Sequence, residues 1–577
     1  MNASQPLTLG LWDNAAFAGY FVGLSLVSYW AGRRERATAQ DYFLAGKRLP
    51  WYVVGGSFIG ANISTEHFIG MIGAAAVFGI CVAMSEWMNV VTFSLLIWFF
   101  IPFLLASKVF TTPEFLEKRF SPALRQLFAA VTVISNVVAF LAAVLYGGGV
   151  ALAALFHWDL WFSIALLGIV AGGWAIYGGL SSVAWGDLFM VVVMVLGGMT
   201  VTLLGLQSLS GDGSVLDGWR VMIERNQATS GPWAEGIARH AQQLAGTSTY
   251  NRLSVFQPAT HPTHPWTSLL LGIFSVSIWY NVLNQFMIQR VLGAKDGYHA
   301  RMGIVFAGFM KVVLPVIVVV PGLIFFARSP ELFLQPWEQV RAEADRGYVR
   351  LIEALVPAGL RGLFLAGLFG AIQSTVNSVL NSTATVITLD FYKRWFRPGA
   401  SDRDLVRMGI VSSVVVLAVA IVLGGFIGVL QRGLFVYIQE LYAFFAPPFA
   451  AAFLLGILWK RINAAGATTA VVLGFVVGVG LKLFVQLVES HPAWLEPYAN
   501  QSCVTWLVCV AVCVAASLAT APPRPEQVTD EVTMNWSRLN LFQDLGRHWF
   551  TSVVFWWALF VAAIGGLFVY FSDLVFR

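Results

Sequence analysis

The side chains with chemistry to offer are few, and most lie inside apolar runs. One run, GGSFIGANISTEHFIGMIG from Gly55 to Gly73, holds Asn62, Ser64, Thr65, Glu66 and His67, and is weakened as a helix by Gly55, Gly56, Gly60 and Gly70. Glu86 lies in MSEWMN, Lys311 in GIVFAGFMKVVLPV, and Gln439 with Glu440 in FVYIQELYAF. A second disturbed run, 268–289, carries Ser275, Ser277, Tyr280, Asn281, Asn284 and Gln285. A third, from Phe369 to Asp390, repeats hydroxyls at Ser374, Ser378, Ser382 and Thr385, a spacing that puts them on one helical face. Ionisable residues inside a bilayer are rare, so Glu86 and Lys311 read by default as functional. Neutral hydroxyls and unwound carbonyls suit a weakly held, exchangeable cation. Each feature has a plain structural alternative. Glu86 and Lys311 could pair only to hold helices together, the hydroxyl face could serve close helix packing, and His67 could be a satisfied core histidine. Lys482 reads as a residue snorkelling from a helix end.

Those residues need elements that carry them into an apolar medium. The chain has 577 residues, 58% hydrophobic and only 11% charged. A soluble chain carries about 25% charged residues, so a soluble enzyme, a disordered protein and a secreted disulfide scaffold are excluded. Cys81, Cys503, Cys509 and Cys513 sit in apolar runs with no CxxC and no histidine nearby in sequence, and read as buried hydrophobes. No Lys or Arg precedes Arg33, so no cleavable signal peptide is expected. About fourteen segments have the roughly 20 apolar residues that a span requires. They are 13–31, 51–79, 82–107, 123–156, 160–178, 183–207, 268–289, 302–328, 358–390, 405–429, 433–458, 466–488, 502–520 and 549–573. None alternates at period two, which excludes a β-barrel.

Basic residues set the expected orientation. Arg33, Arg34, Arg36, Lys47 and Arg48 follow the first span. Lys108, Lys118 and Arg119 follow the third, and Arg290, Lys295 and Arg301 the seventh. Lys393, Arg394, Arg397 and Arg403 follow the ninth, Lys460 and Arg461 the eleventh, and Arg524, Arg538 and Arg547 the thirteenth. These odd-numbered loops are therefore cytoplasmic and both termini extracytoplasmic, in a multi-pass plasma (inner) membrane protein. Two long external segments, about 208–266 and 329–357, read as partly ordered caps. The two interrupted helices lie five spans apart. That spacing predicts an inverted-repeat transporter, divided as 1–50, first repeat 51–207, loop 208–267, second repeat 268–458 and further helices 459–577.

The runs DYFLAGKRLPWYVVGGSFIGANISTEHFIGMIG, EWMNVVTF, PEFLEKRF, YGGLSSVAWGD, NQFMIQRVL, GIVFAGFMKVVLP, LNSTATVITLDFYKR and VYIQELYAFFAPP, spread over about residues 40–460, resemble the solute:sodium symporter family, its sodium/glucose cotransporter branch above all. The resemblance implies an all-α integral membrane protein with the LeuT-type five-plus-five inverted repeat and extra flanking helices. It implies a sodium site from the carbonyls of Gly60, Ile63 and Ala371 and the hydroxyls of Ser374 and Thr375, where Gly60 and Thr375 depart from commoner Ala and Ser. It links Asp187 to ion coupling, with a second sodium at Asp187 and Ser378. The sugar site it implies comprises His67, Glu86, Asn89, Lys311 and Gln439, with Tyr280 as an inner gate. Ser277 and Asn281 line the same site but depart from the Asn and Trp of some sugar carriers. The implied partners are a small-molecule sugar, Na+ and the lipid bilayer, with no nucleic acid and no ATP, since no GxxxxGK[ST] run occurs.

Other classes fit less well. A transporter-like sensor would carry a signalling module, and the expectation is that none follows Arg577. A membrane enzyme would need a catalytic constellation, and His261 and His264 fall in an external loop. Within symport, an amino acid, a carboxylate or a sialic-acid-like sugar acid stays open as the solute, with Glu86 mildly opposed to an anion unless Lys311 neutralises it.

Overall fold

Long apolar runs placed in lipid must satisfy their backbone groups internally, and helices do so within one segment. The computed structural model of the chain follows this rule. It describes residues 9–33, 38–107, 111–269, 271–344, 346–427, 434–535 and 542–576. Arg34, Arg36, Lys108 and Arg538 of the orientation argument, and the end of the 405–429 span, lie outside those residues. Among the described residues there is no strand, only isolated bridges pairing Leu49 with Ala294 and Gln257 with Pro265. Short polar side chains start several helices by accepting a backbone N–H of the first turn: Thr111 from Glu114, Ser121 from Leu124, Asp159 from Phe162 and Asn463 from Gly466.

Among the described residues eleven helical stretches are long and apolar enough to cross a membrane, fewer than the about fourteen expected. The difference is local. Leu160–Gly173 and Gly272–Leu283 are apolar but short, and the segments expected at 51–79 and 82–107 are divided elsewhere, with one stretch running Glu66–Leu105. Gly79 bends that stretch at φ 80°, where a Cβ would stand 2.2 Å from the Arg252 carbonyl oxygen. Gly179 bends Leu160–Gln207 at φ 58°, with Tyr42 O 2.4 Å from the place of a Cβ. Both positions need glycine for conformation and for space.

The two interrupted helices break alike. Trp51–Asn62 ends at Ile63 (φ −82°, ψ 125°), and a π-helical turn Glu66–Met71 follows. Gly272–Ile278 and the π-helical turn Trp279–Leu283 end at Asn284 (φ −66°, ψ 124°), before Gln285–Leu292. At each break a side chain captures backbone that the helix gives up: Ser64 Oγ accepts Glu66 N–H at 3.1 Å, and Asn284 Oδ1 accepts Phe286 N–H at 3.4 Å. The start of the first broken helix is tied to the end of the second, Leu49 N–H to Gly293 O at 3.1 Å and Lys295 N–H to Leu49 O at 3.0 Å.

Two expectations about charge change. Arg119, Arg290 and Arg301, counted as loop residues, are buried. Arg119 spends its guanidinium on the carbonyls of Gly456 (2.7 Å) and Ile462 (2.8 Å) at a helix C-terminus. Lys482 does not snorkel alone but pairs with Glu440 at 2.9 Å. The 208–267 segment is an ordered cap, with helices Val215–Asn226 and Gly231–Ala245. Its Arg252 reaches down to cap Ile72–Phe78, donating to Val77 O (2.7 Å) and Ala76 O (2.8 Å). Burial pulls the Arg252 pKa down to about 10, which leaves it charged at neutral pH.

Candidate functional site

The two breaks face a cavity of about 80 Å³ lined by all eight residues expected to meet a solute: His67, Glu86, Asn89, Ser277, Tyr280, Asn281, Lys311 and Gln439. Thr263 and Tyr498 also border a larger vestibule of about 670 Å³ beyond it.

One wall is ionic. Lys311 Nζ donates to Glu86 Oε2 and to Asn62 Oδ1. His67 Nδ1 accepts the Ser64 N–H at 3.2 Å, so its proton sits on Nε2, 3.3 Å from Glu86 Oε1. A neutral cluster adjoins it, since Asn89 Nδ2 donates to the Glu86 carbonyl oxygen at 3.2 Å. Asn89 Oδ1 accepts both Ser277 Oγ–H and Asn281 Nδ2–H at 2.7 Å, and Asn281 Oδ1 is buried without a donor among the described residues. The departures at Ser277 and Asn281 thus form one three-residue cluster. The lining therefore combines a charged pair with neutral amides and hydroxyls, a chemistry that suits a ligand that both donates and accepts. The floor is aromatic: Tyr280 packs against Phe140, Phe286 and Tyr442, with ring centroids 5.6–5.8 Å apart.

The expected sodium residues also converge. Thr375 Oγ1 donates to Ile63 O at 3.0 Å, across the gap between the hydroxyl-rich helix Arg361–Val386 and the first break. Ala371 lies one turn before Thr375. A Cβ at Gly60 would stand 3.0 Å from Ser374 Oγ and from Asp187 Cβ, close enough that its neighbours would have to give way. Ser374 Oγ donates to Asp187 Oδ1 at 2.6 Å. A hydroxyl whose proton is taken by a carboxylate has its lone pairs free for a cation, so the donor set fits Na+. Asp187 Oδ2 is held by Ser57 Oγ (2.6 Å) and Arg290 Nη2 (3.1 Å), and the same Nη2 donates to Ser378 Oγ. The guanidinium therefore occupies the space between Asp187 and Ser378.

Sequence reasoning missed several lining residues. Glu66 was visible in the break but had no role. His264 gave no local signal, because the loop returns across 179 residues to place its Nε2 2.8 Å from Ser85 Oγ, with its ring stacked on Phe435 (centroids 6.0 Å apart). Burial pushes the His264 pKa down to about 3, so the ring is neutral. Cys81, without a histidine nearby in sequence, lies 3.8 Å from His261 Nε2. The three side chains Cys81, His261 and His264 gather within ligand reach of one another. However, His261 Nδ1 already accepts the His264 N–H (2.9 Å), so Nε2 keeps its proton, 3.0 Å from Tyr250 Oη. The group is a hydrogen-bonded anchor for the cap.

Two discontinuous helices facing each other across a buried polar cavity, within a bundle of membrane-length helices, define an inverted-repeat secondary transporter. The chain matches the Sodium:solute symporter family over residues 42–474. It is 33% identical to the sodium/glucose cotransporter of Vibrio parahaemolyticus over 521 residues, 88% of this chain and 90% of that protein. It is 32% identical to the sodium/myo-inositol cotransporter of Homo sapiens, over 92% of this chain and 76% of that one. Among solved structures, a substrate-bound, outward-open Na+-coupled sialic acid symporter superposes with a TM-score of 0.71 at 20% identity, covering 89% of this chain and 99% of that one. The chain belongs to the sodium:solute symporter family, with the LeuT-type fold.

Proposed function

We propose that the chain imports a sugar or sugar-like polyol together with Na+ by alternating access, from a plasma (inner) membrane with both termini outside. The repeats would be 51–207 and 268–458, flanked by 1–50 and 459–577 and capped by 208–267. The observation that carries the solute reading is the cavity chemistry. Lys311 is matched by Glu86, so the site holds no spare cation for an anionic solute, while the neutral amides and hydroxyls of Asn89, Ser277, Asn281 and Gln439 line the same cavity. The names of the relatives, a glucose and a myo-inositol cotransporter, agree with a neutral polyol.

In this reading Na+ is a co-substrate held by the carbonyls of Gly60, Ile63 and Ala371 and the hydroxyls of Ser374 and Thr375. Asp187 orients Ser374 and does not ligate a second ion, because Arg290 fills the Asp187–Ser378 gap. Sodium ties the first break to the hydroxyl helix and favours the state open to the outside. Solute then fills the cavity, and the aromatic floor at Tyr280 loosens on the cytoplasmic side. A ligand drives such a change only by its differential affinity for the two states. One charge crossing 100 mV supplies about 2.3 kcal/mol, and a tenfold gradient about 1.4 kcal/mol more. Together these sustain a solute ratio of several hundred.

The test is uptake of labelled glucose, myo-inositol and sialic acid into proteoliposomes under an inward Na+ gradient, then with K+ in its place. Sugar uptake that requires Na+ is expected. Uptake indifferent to Na+ would remove symport, and uptake of the acid alone would remove the neutral-polyol reading.

A further inference from the structure

The cavity holds two carboxylates but only one has a cation. Glu86 takes Lys311 and faces His67, whereas among the described residues no Lys, Arg or His forms an ion pair with Glu66. Glu66 Oε1 instead accepts the Gln439 Nε2–H at 2.8 Å. An amide has one donating and one accepting end, and an ionised carboxylate only accepts. In that bond the Gln439 amide stands with its nitrogen toward Glu66 and its oxygen turned away, for as long as Glu66 acts as the acceptor. That oxygen receives no hydrogen bond from a described protein donor and is not sealed in the interior, and Gln439 is half-buried in the cavity lining.

We propose that Glu66 is a positioning residue for solute selection. It holds the Gln439 amide so that the carbonyl oxygen, and not the N–H end, meets the solute. The site then requires a hydroxyl that donates at that one place, and penalises a solute that lacks it. Glu66 belongs to the element after the first break and Gln439 to Leu434–Leu458, so the acceptor is set only while these two elements are apposed. The inference rests on the polyol reading above.

The experiment uses the full chain in proteoliposomes, comparing wild type, Glu66→Gln, Gln439→Ala and the double variant. Each is assayed with glucose and with its single-deoxy analogues as competitors. In wild type, one deoxy position is expected to cost about tenfold in KM, the size of a lost buried hydrogen bond to a polar group. In Glu66→Gln the amide is free to turn, so glucose KM rises several-fold, kcat holds, and the penalty at that one position collapses. In the Gln439→Ala background, Glu66→Gln adds nothing. If Glu66→Gln alone folds poorly, the reversed pair Glu66→Gln with Gln439→Glu restores the bond and keeps an accepting oxygen toward the solute, so the single-position penalty should survive. A loss equal at every deoxy position, a fall in kcat with KM unchanged, or additive effects in the double variant would each overturn the proposal and mark a purely structural tie. Wild type that takes up no sugar at all would remove the polyol reading, and this inference with it.

Discussion

Thr375 donates its hydroxyl proton to the carbonyl of Ile63 over 3.0 Å, joining the hydroxyl-rich helix to the extended residue of the first break. Both oxygens belong to the proposed sodium set. Sodium would replace one O–H···O contact with two ion–oxygen contacts, drawing the same two elements together more strongly. Thr375→Val keeps the shape and removes the hydroxyl. It is expected to raise the Na+ concentration for half-maximal uptake by about tenfold or more, while Thr375→Ser stays near wild type. Sodium titration of uptake at saturating sugar measures both, and an unchanged Val variant would clear Thr375 from the site.

The Glu86–Lys311 pair predicts a split between stability and function. Removing one member leaves a buried charge unpaired, which costs about 3–5 kcal/mol, whereas replacing both is often neutral. Lys311→Met should therefore lower Tm sharply, and Glu86→Gln with Lys311→Met should recover most of it. Uptake should stay lost in both. Recovered transport in the double variant would show that the pair only holds helices together.

Arg290 predicts the sodium count. Its guanidinium bonds Asp187 and Ser378 at once, so a second ion there would have to displace it. Sodium activation of uptake should follow a Hill coefficient near 1. A coefficient approaching 2, with sugar saturating, contradicts a single ion.

Two groups outside the spans contribute to the acid limb of stability. Burial holds His264 at about 3, below the usual 6.5, so the unfolded chain binds a proton that the folded chain refuses. Its contribution is whole above pH 6.5 and is lost as pH falls toward 3. Glu117 is held at about 2 by hydrogen bonds from Arg394, then Arg125, below the usual 4.5, so its contribution is lost only below pH 4.5. Between pH 6.5 and 5, Tm should fall with pH in wild type and fall less in His264→Gln. Parallel curves there would show that His264 is not shielded in the folded cap.

Much of this architecture is legible in the chain because lipid leaves little choice. Apolar runs of span length must be helices, and glycines with polar residues at mid-depth must mark breaks, so Ile63 and Asn284 fall where the composition changes. Glu86, Lys311 and the Ser374–Thr375 face stand out because polar groups are scarce in such runs. Other features carry no local signature. Arg290 counts as a loop charge in the sequence, and only the approach of Asp187, 103 residues away, makes it a buried fork. His264 reaches Ser85 only because its loop folds back as a cap. The order of residues along the chain is enough to give the medium, the helices and the places where they break. Which acid meets which base was decided by the tertiary structure, because such pairing depends on helices from distant parts of the chain packing side by side.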